Sequence, residues 1–418
     1  MNKWNKISII LVIILISPVV IAQQRFPKPE FESGYTQPHP ITPEPRSISL
    51  EYFDILILIA VLALATWFIL KARSRRGLLW LSVFSLIYFG FYRKGCICPI
   101  GAIQNVALSF TDPEYTISLI VLAFFLIPLI FTLFFGRTFC AAGCPLGAIQ
   151  DLVIIKPLFM PSWLRKTLGI IPYIYLGLAV LYAVTGTDFI ICRYDPFVGI
   201  FRMDAPFHMV ILGISFLLMG MFIARPYCRF LCPYGVLLNW MSRFSKWHLS
   251  ITPGECIQCK LCTTSCPFDV IEEPTKEKVE LGSRKYLRRF ILYAALIPLW
   301  ILAGGYTVSR SSVILARANQ DVHLAELLIA HPELREDPDN IDIQIFLASG
   351  KSMNTLVDEV KEIQENFRIG SWILGGFLGL VVGVKLMHQV IFRRRKDYEP
   401  HRGECFSCGR CMDYCPVR

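Results

Sequence analysis

Charge is scarce in this 418-residue chain: Asp, Glu, Lys and Arg make up 18% of it, against about 25% in soluble proteins. With 54% hydrophobic residues and a mean hydropathy of +0.50, so low a charged fraction excludes a soluble multidomain protein. Disorder is excluded by the 30 Phe, 16 Tyr and 8 Trp spread along the chain. Histidine is scarce, seven in all, and a membrane b-type haem needs two of them facing each other within spans. The two near spans, His208 and His388, fall near opposite faces, which argues against haem. No Gly-rich phosphate loop and no nucleophile elbow occurs. The net charge of +10 does not point to nucleic acid, because in a membrane protein excess Lys and Arg mark the cytoplasmic loops. The partner implied first is the lipid bilayer.

What the chain does have is long apolar runs and cysteine. Lys3 and Lys6 precede an apolar run from Ile7 to Ile16 and then Val20-Ile21-Ala22, the pattern of a signal peptide ending at residue 22 or of an N-terminal anchor. Residues 23–49, polar and Pro-rich, read as an extracytoplasmic tether. Seven apolar stretches follow at 52–70, 78–92, 117–135, 169–186, 208–224, 288–307 and 371–392. Basic clusters at Lys71/Arg73/Arg75/Arg76, Arg284/Lys285/Arg288/Arg289 and Arg393/Arg394/Arg395/Lys396 all fall on one side under strict alternation, which makes that side cytoplasmic. Arg93-Lys94 is the exception. Segment 308–369 becomes an extracytoplasmic insertion of amphipathic helices, with Leu324, Leu327 and Leu328, then Val357, Val360 and Ile363, at helical spacing.

Fifteen cysteines, an odd number, are clustered rather than scattered, which favours metal ligation over a disulfide scaffold. Two runs have the spacing of bacterial ferredoxins, Cys256-x-x-Cys259-x-x-Cys262-x-x-x-Cys266-Pro267 and Cys405-x-x-Cys408-x-x-Cys411-x-x-x-Cys415-Pro416. In that arrangement three close thiolates serve one [4Fe–4S] cluster and the displaced fourth reaches the other. One cluster then takes Cys256, Cys259, Cys262 and Cys415, and the other Cys405, Cys408, Cys411 and Cys266. Both runs must lie on the same side of the membrane, and the two spans between them satisfy this. Structural zinc is the plainer alternative for such spacing.

A second repeat precedes these runs. Cys96-Ile97-Cys98-Pro99-Ile100-Gly101, Cys140-Ala141-Ala142-Gly143-Cys144-Pro145-Leu146-Gly147 and Cys228-Arg229-Phe230-Leu231-Cys232-Pro233-Tyr234-Gly235 each read as a turn with Pro opening a new helix. Such a turn sets thiols against free N–H groups at a helix N-terminus. Cys140, Cys144, Cys228 and Cys232 share the cytoplasmic side. They suit a further iron–sulfur or other metal site, redox dithiols, or plain core packing. Cys96, Cys98 and Cys192 fall on the opposite side, as an outer metal or redox site or a disulfide. Asp188, Arg193, Asp195 and Arg202 gather around Cys192 and suit either quinol oxidation or a salt-bridged loop. Cysteines on both faces favour a transmembrane relay, since crossing about 30 Å of hydrocarbon needs intermediate carriers.

The fold class expected is an all-α polytopic membrane protein, about seven spans after a signal peptide, with a cytoplasmic bacterial-type 2[4Fe–4S] ferredoxin module. Its parts are the signal or anchor 1–22, the tether 23–49, a membrane core 50–245 and a first ferredoxin half 246–286. A span 287–307, the insertion 308–369, a span 370–392 and the second ferredoxin half 393–418 complete it.

The runs Arg93 to Asn105, Phe139 to Asp151, Ile190 to Phe201 and Arg225 to Gly235, followed by the first ferredoxin run, resemble the NosR/NapH-type membrane polyferredoxins. The resemblance covers roughly residues 50–305 and the terminal run, and carries over the eight ferredoxin cysteines and the pairs Cys140/Cys144 and Cys228/Cys232. It implies an electron carrier rather than a stand-alone enzyme, placed in the inner (cytoplasmic) membrane. The carrier would pass electrons from the quinone pool or a cytoplasmic donor to an extracytoplasmic reductase, that of nitrous oxide first among them. The alternative it implies is a maturation or regulatory factor for a periplasmic metalloenzyme. NosR-like proteins also carry an extracytoplasmic flavin domain with a Thr acceptor. Here only 23–49 holds that place and no Ser-Gly-Ala-Thr-like acceptor occurs, so no FMN site is expected and a separate flavoprotein is a further partner.

Overall fold

The computed structural model describes residues 46–95, 99–252, 256–275, 283–331, 341–388 and 395–417. The signal segment, nearly all of the tether, and Cys96 and Cys98 lie outside these residues. From Ser47 onward the chain is one compact unit, and it is mostly helical.

Uniformly apolar runs give the longest helices, and prolines cut the rest short. α1 (Ile48–Leu70) leads through a turn to α2 (Arg75–Ser85), whose N-cap Ser74 accepts the Gly77 N–H at 3.2 Å. A π-helical stretch, Leu86–Tyr92, continues it. Then come α3 (Pro99–Ser109), α4 (Leu119–Phe135), a π-turn at Phe139–Gly143, α5 (Pro145–Leu152), α6 (Ser162–Leu168) and α7 (Ile171–Val184). The short α8 (Ile190–Tyr194) and α9 (Pro196–Arg202) precede α10 (Phe207–Gly220), α11 (Pro226–Phe230), α12 (Pro233–Arg243) and α13 (Leu261–Ser265). β1 (Ile271–Glu272) follows, then α14 (Ser283–Ser309), α15 (Ser312–Ala316), α16 (Gln320–Ala330), α17 (Ile341–Ala348) and α18 (Met353–His388). β2 (Glu399–Pro400) and α19 (Arg410–Asp413) close the chain.

Among the described residues, four segments are long and apolar enough to cross a bilayer: α1, the α6–α7 run Ser162–Val184, Leu287–Ser309 of α14, and α18. The α9–α10 pair makes a fifth if its 108° bend is one broken span. The seven-span expectation includes three stretches that do not meet this test as single helices. Its second stretch divides between α2 and the π-helix, and its third is the 17-residue α4. Its fifth begins at the sharp bend. Pro99, Pro145, Pro196, Pro226 and Pro233 each open a helix, where their missing N–H costs nothing, and so divide the apolar chain into short pieces.

These short helices pack around one apolar core that joins Leu58 and Leu62 of α1, Ile103 of α3, Phe124 of α4, Tyr173 of α7, and Tyr227 and Tyr234 of the later repeat. Within α1, the fully buried Asp54 pairs with Arg93 at 2.9 Å and accepts the Tyr88 hydroxyl at 2.6 Å. Arg93, the residue that defied the charge alternation, thus has a partner inside the protein.

α14 and α18 form a closely packed hairpin. A side chain at Gly304 would clash with the Gly375 backbone, and one at Gly379 with the carbonyl of Trp300. These glycines let the two backbones approach, as in Gly-x-x-x-Gly pairs of membrane helices. At about 1.5 Å per residue, the 36-residue α18 exceeds a hydrocarbon thickness of about 30 Å. It runs unbroken through residue 370, the expected boundary between insertion and span. Its first turns join α16 and α17 in a small apolar cluster of Val322, Leu328, Ile343, Leu356 and Val360.

Candidate metal centres

The hairpin brings the two ferredoxin runs to the same end of the molecule, where β1 pairs antiparallel with β2, Ile271 opposite Pro400. Both runs adopt the same backbone. Gln258 and Lys260 in the first, and Ser407 and Gly409 in the second, have φ of 55°, 64°, 52° and 77°. These are the matching positions between cysteines. Left-handed residues alternating with ordinary ones turn successive N–H groups into a concavity that suits anions and iron–sulfur sites. Cys256, Cys259, Cys262 and Cys415 line one pocket with Ile251, Thr252, Ile257, Lys260 and Tyr398. Its fourth thiol comes from the other end of the chain. Cys266 lies with Cys405, Cys408 and Cys411, close enough that each thiol disfavours ionisation of its neighbours. The backbone N–H groups of Val270, Phe268 and Asp269 point at the Cys266 sulfur.

Arginines clamp this module to the helices. Arg75 donates to the Cys408 carbonyl at 2.7 Å, Arg229 to the Phe268 carbonyl at 2.6 Å, and Arg73 to the Ser250 carbonyl at 3.3 Å. Arg165 pairs with Asp269 at 2.6 Å, and Arg395 pairs with Glu272. Positive charges that read as topology signals therefore also hold the ferredoxin loops.

The repeats build a second four-thiol pocket. Cys140 and Cys144 come from the π-turn and the start of α5, Cys228 and Cys232 from α11 and the start of α12. All four line one cavity with Ile100, Arg137, Phe139, Gly147, Tyr234 and Leu238. Three of the sulfurs accept N–H groups: Cys232 from Gly235 at 3.4 Å, Cys228 from Gln150 Nε2 at 3.3 Å, and Cys140 from Arg137 Nη2 at 3.6 Å. Gly147 and Gly235 hold equivalent positions, and each faces the arginine of the opposite repeat, Arg225 and Arg137 respectively. The halves thus interlock as a pseudo-twofold pair.

Burial pushes the Cys228 and Cys405 thiols up to about 12, and Cys232 and Cys411 well above the ordinary thiol value. As free thiols these groups stay protonated, so metal loading must expel protons. Among the described residues no three His, Cys, Asp or Glu side chains converge on a single ion position. Cys256, Cys259, Cys262 and Cys415, and likewise the four repeat thiols, stand around a pocket.

Phe268 and Phe406, ring centroids 4.7 Å apart, pack in one apolar cluster with Cys266 and Cys408 of the second ferredoxin quartet and Cys140 and Cys228 of the repeat pocket. The Arg137 guanidinium sits 4.2 Å over Phe406, and that of Arg225 5.7 Å from the same ring. Arg225 is fully buried, has φ of 48°, and acts electrostatically on Cys228, Cys140 and Cys408, so it faces both quartets. Its counter-ion is Asp151, 3.5 Å away, which also meets Arg75 at 2.7 Å and Arg410 at 3.7 Å. Burial alone would raise the Asp151 carboxyl, but Arg225, Arg75 and Arg410 outweigh it and hold the group down at about 2. Sequence reasoning did not find Arg137, Arg225 or Asp151. The available signal was an arginine three residues before the first cysteine in both repeats, Arg137-x-x-Cys140 and Arg225-x-x-Cys228.

Of the outer cysteines, Cys96 and Cys98 fall outside the described residues, and Cys192 is exposed, its sulfur against Gly101. Gln104 accepts the Ile191 N–H at 2.9 Å, as Gln150 accepts that of Tyr227 at 3.1 Å, so the outer loop docks on α3 as α11 docks on α5. Arg193 pairs with Asp188 at 3.1 Å. Asp195 is buried, capping α9 through Phe197 N–H and accepting the Tyr227 hydroxyl at 2.8 Å.

Two family models, each described as a 4Fe–4S binding domain, match the chain, one at residues 117–170 and 205–252 and the other at 249–272. An uncharacterised protein of Methanocaldococcus jannaschii is 28% identical over 193 residues, covering 44% of this chain and 78% of its own. YccM of Escherichia coli, named for electron transport, is 25% identical over 189 residues, 40% of this chain and 52% of its own. The regulatory protein NosR of Pseudomonas aeruginosa is 26% identical over 245 residues, 52% of this chain and 33% of its own. The chain thus spans most of the archaeal relative but only about half of YccM and a third of NosR. No solved structure matches it at a significant level.

Proposed function

We propose that this chain, a NosR/NapH-like membrane protein with 4Fe–4S binding domains, is a transmembrane electron carrier whose ferredoxin module holds two [4Fe–4S] clusters on the cytoplasmic side of the inner membrane. The observation that carries this reading is the pocket lined by Cys256, Cys259, Cys262 and Cys415, thiols from the two chain segments that flank a helical hairpin. The donor sets fit the group: four thiols around each site, left-handed residues turning N–H groups inward, and N–H groups aimed at Cys266. Cys405, Cys408, Cys411 and Cys266 would hold the second cluster. When bound, such clusters accept and release single electrons. The chain's own part is to exclude water with Phe268, Phe406 and Tyr398, to direct N–H groups at sulfur, and to fix the loops through Arg75, Arg165 and Arg229.

Electrons would enter from quinol or a cytoplasmic donor and leave toward an extracytoplasmic reductase, that of nitrous oxide being the first candidate, or toward a separate flavoprotein. Cys259→Ala and Cys408→Ala test this in cells. The expected result is loss of the reductase's activity while its own metals stay in place. A reductase that accumulates without its cofactor would instead support the reading as a maturation or regulatory factor, which the naming of the NosR relatives as regulatory proteins favours.

A further inference from the structure

Helix α18 carries Phe377, Val381, Lys385 and His388 at steps of four, four and three residues, which sets them on one face near its end. That face meets α7 and α12. Tyr173 of α7, Trp240 of α12 and Phe377 form a triangle of rings, with centroids 6.1, 6.3 and 6.4 Å apart. Tyr173 is buried, but Trp240 and Phe377 are only half-buried, so the triangle keeps an open edge where α12 and α18 meet. Lys385 turns inward over these rings. Its ammonium lies 4.8 Å from the Tyr173 ring centroid and donates to the Gly169 carbonyl at 2.5 Å, in the break between α6 and α7. A lysine near the end of a span ordinarily reaches out to the interface, and an ionisable group held within membrane helices points to function. Beside it the Arg243 guanidinium of α12 meets Nε2 of the exposed His388 at 3.2 Å.

The second ferredoxin run closes the inner side of this crevice. Gly403 packs so closely on Asn239 and Arg243 that an added methyl group would displace their side chains. The Ser242 hydroxyl donates to the Arg402 carbonyl at 2.5 Å. Glu404 acts electrostatically on Lys385 and Tyr173, and His401 on His388. Cys405 is the next residue of the chain.

Resting on the electron-carrier reading, we propose that this crevice between α7, α12 and α18 is a quinol-oxidation site, in which Tyr173, Trp240 and Phe377 hold the ring and Lys385 and His388 its two oxygens. A quinol head group is a flat apolar ring with an oxygen at each end, so it calls for aromatic walls and a hydrogen-bonding group at either end. A phospholipid phosphate calls instead for cations turned out to the interface, and the rings would do nothing for it. The outer loop at Cys192 fits less well. There Asp195 is engaged in capping α9 and in accepting the Tyr227 hydroxyl, and Arg193 is paired with Asp188.

In the reaction both quinol O–H bonds break and the ring becomes the quinone. One electron goes to each of the two clusters, by way of the one held by Cys266, Cys405, Cys408 and Cys411. The protons leave past His388 to solvent. Lys385, as an ammonium, stabilises the oxygen that has lost its proton. Entry beside Cys405 makes the second cluster the first to be reduced.

The experiment uses the full chain, purified without oxygen in detergent, its iron reduced with dithionite and the excess removed. Reoxidation by decylubiquinone, which runs the same site in reverse, is followed by visible absorption. We expect Lys385→Gln and His388→Gln each to slow it by about tenfold, which is what one hydrogen bond to a charged group contributes. Arg193→Gln in the outer loop should leave it unchanged. Unchanged iron content in each variant reports that it has folded. In oxidised protein, where no turnover occurs, an azidoquinone should label peptides of α12 and α18 on illumination, and decylubiquinone should compete with it. Label in the Cys192 loop, or slowing by Arg193→Gln and not by the other two, overturns the site. So does label that an anionic phospholipid displaces and decylubiquinone does not. No label at all, with reoxidation equal in wild type and variants, overturns quinol entry through this chain and leaves the cluster reading standing. A chain without reducible iron overturns the electron-carrier reading itself.

Discussion

The two kinds of four-thiol pocket in this molecule follow opposite plans. In the ferredoxin pockets three thiols come from one short loop, wound by left-handed residues, and the fourth is lent by the distant run. In the repeat pocket the thiols come two and two from interlocked halves, each at the N-terminus of a proline-led helix. The ferredoxin plan depends on a hairpin of long helices to bring its halves together. The repeat plan depends on the packed membrane core itself. A local loop tolerates an exposed position such as Cys259, whereas the repeat pocket keeps Cys144 and Cys232 buried beside Arg137.

Replacing Gly375 and Gly379 with Leu attacks one plan and spares the other. The larger side chains would force α14 and α18 apart, so the iron of the ferredoxin module should be lost while the thiols of the repeat pocket stay shielded from alkylation. Loss of that shielding as well would mean that the hairpin holds the whole fold. Next in size is the ion cluster that ties the two plans together. Asp151→Asn leaves Arg225 and Arg75 without their counter-ion and should cost about 3–5 kcal/mol, read by denaturant unfolding in detergent. Because the Asp151 pKa in the folded protein lies below its unfolded value of about 3.9, its contribution is complete above that value. It fades as pH falls toward about 2, so variant and wild type should converge in acid. Smallest is Arg165→Gln, whose partner Asp269 is 45% exposed, with a stability loss of no more than about 1 kcal/mol.

Much of the ferredoxin region is legible in the sequence because its cysteines are set by local spacing. The four residues that the spacing assigns to one cluster, Cys256, Cys259, Cys262 and Cys415, are the four that line the pocket. The repeat pocket is only half legible. Charge alternation puts Cys140, Cys144, Cys228 and Cys232 on one side, but that they share a cavity depends on how α5 and α12 pack, which no local pattern encodes. Arg75 reads as a topology signal, and so its role in binding the Cys408 loop and Asp151 stays hidden. Three of the seven expected spans do not appear as single long helices because hydropathy does not register where the chain bends, as at the 108° bend between α9 and α10. α18 runs through residue 370 because the change from amphipathic to apolar character contains no helix-breaking residue: Ile369-Gly370-Ser371 is tolerated inside a helix packed against others.

The central claim is that far-separated runs exchange their fourth thiol, and spectroscopy of single serine variants tests it directly. In reduced samples prepared without oxygen, Cys266→Ser should alter the same paramagnetic signal as Cys405→Ser, and Cys415→Ser the same signal as Cys256→Ser. If Cys266→Ser groups with Cys256→Ser instead, each run holds its own cluster and the account of this module is wrong.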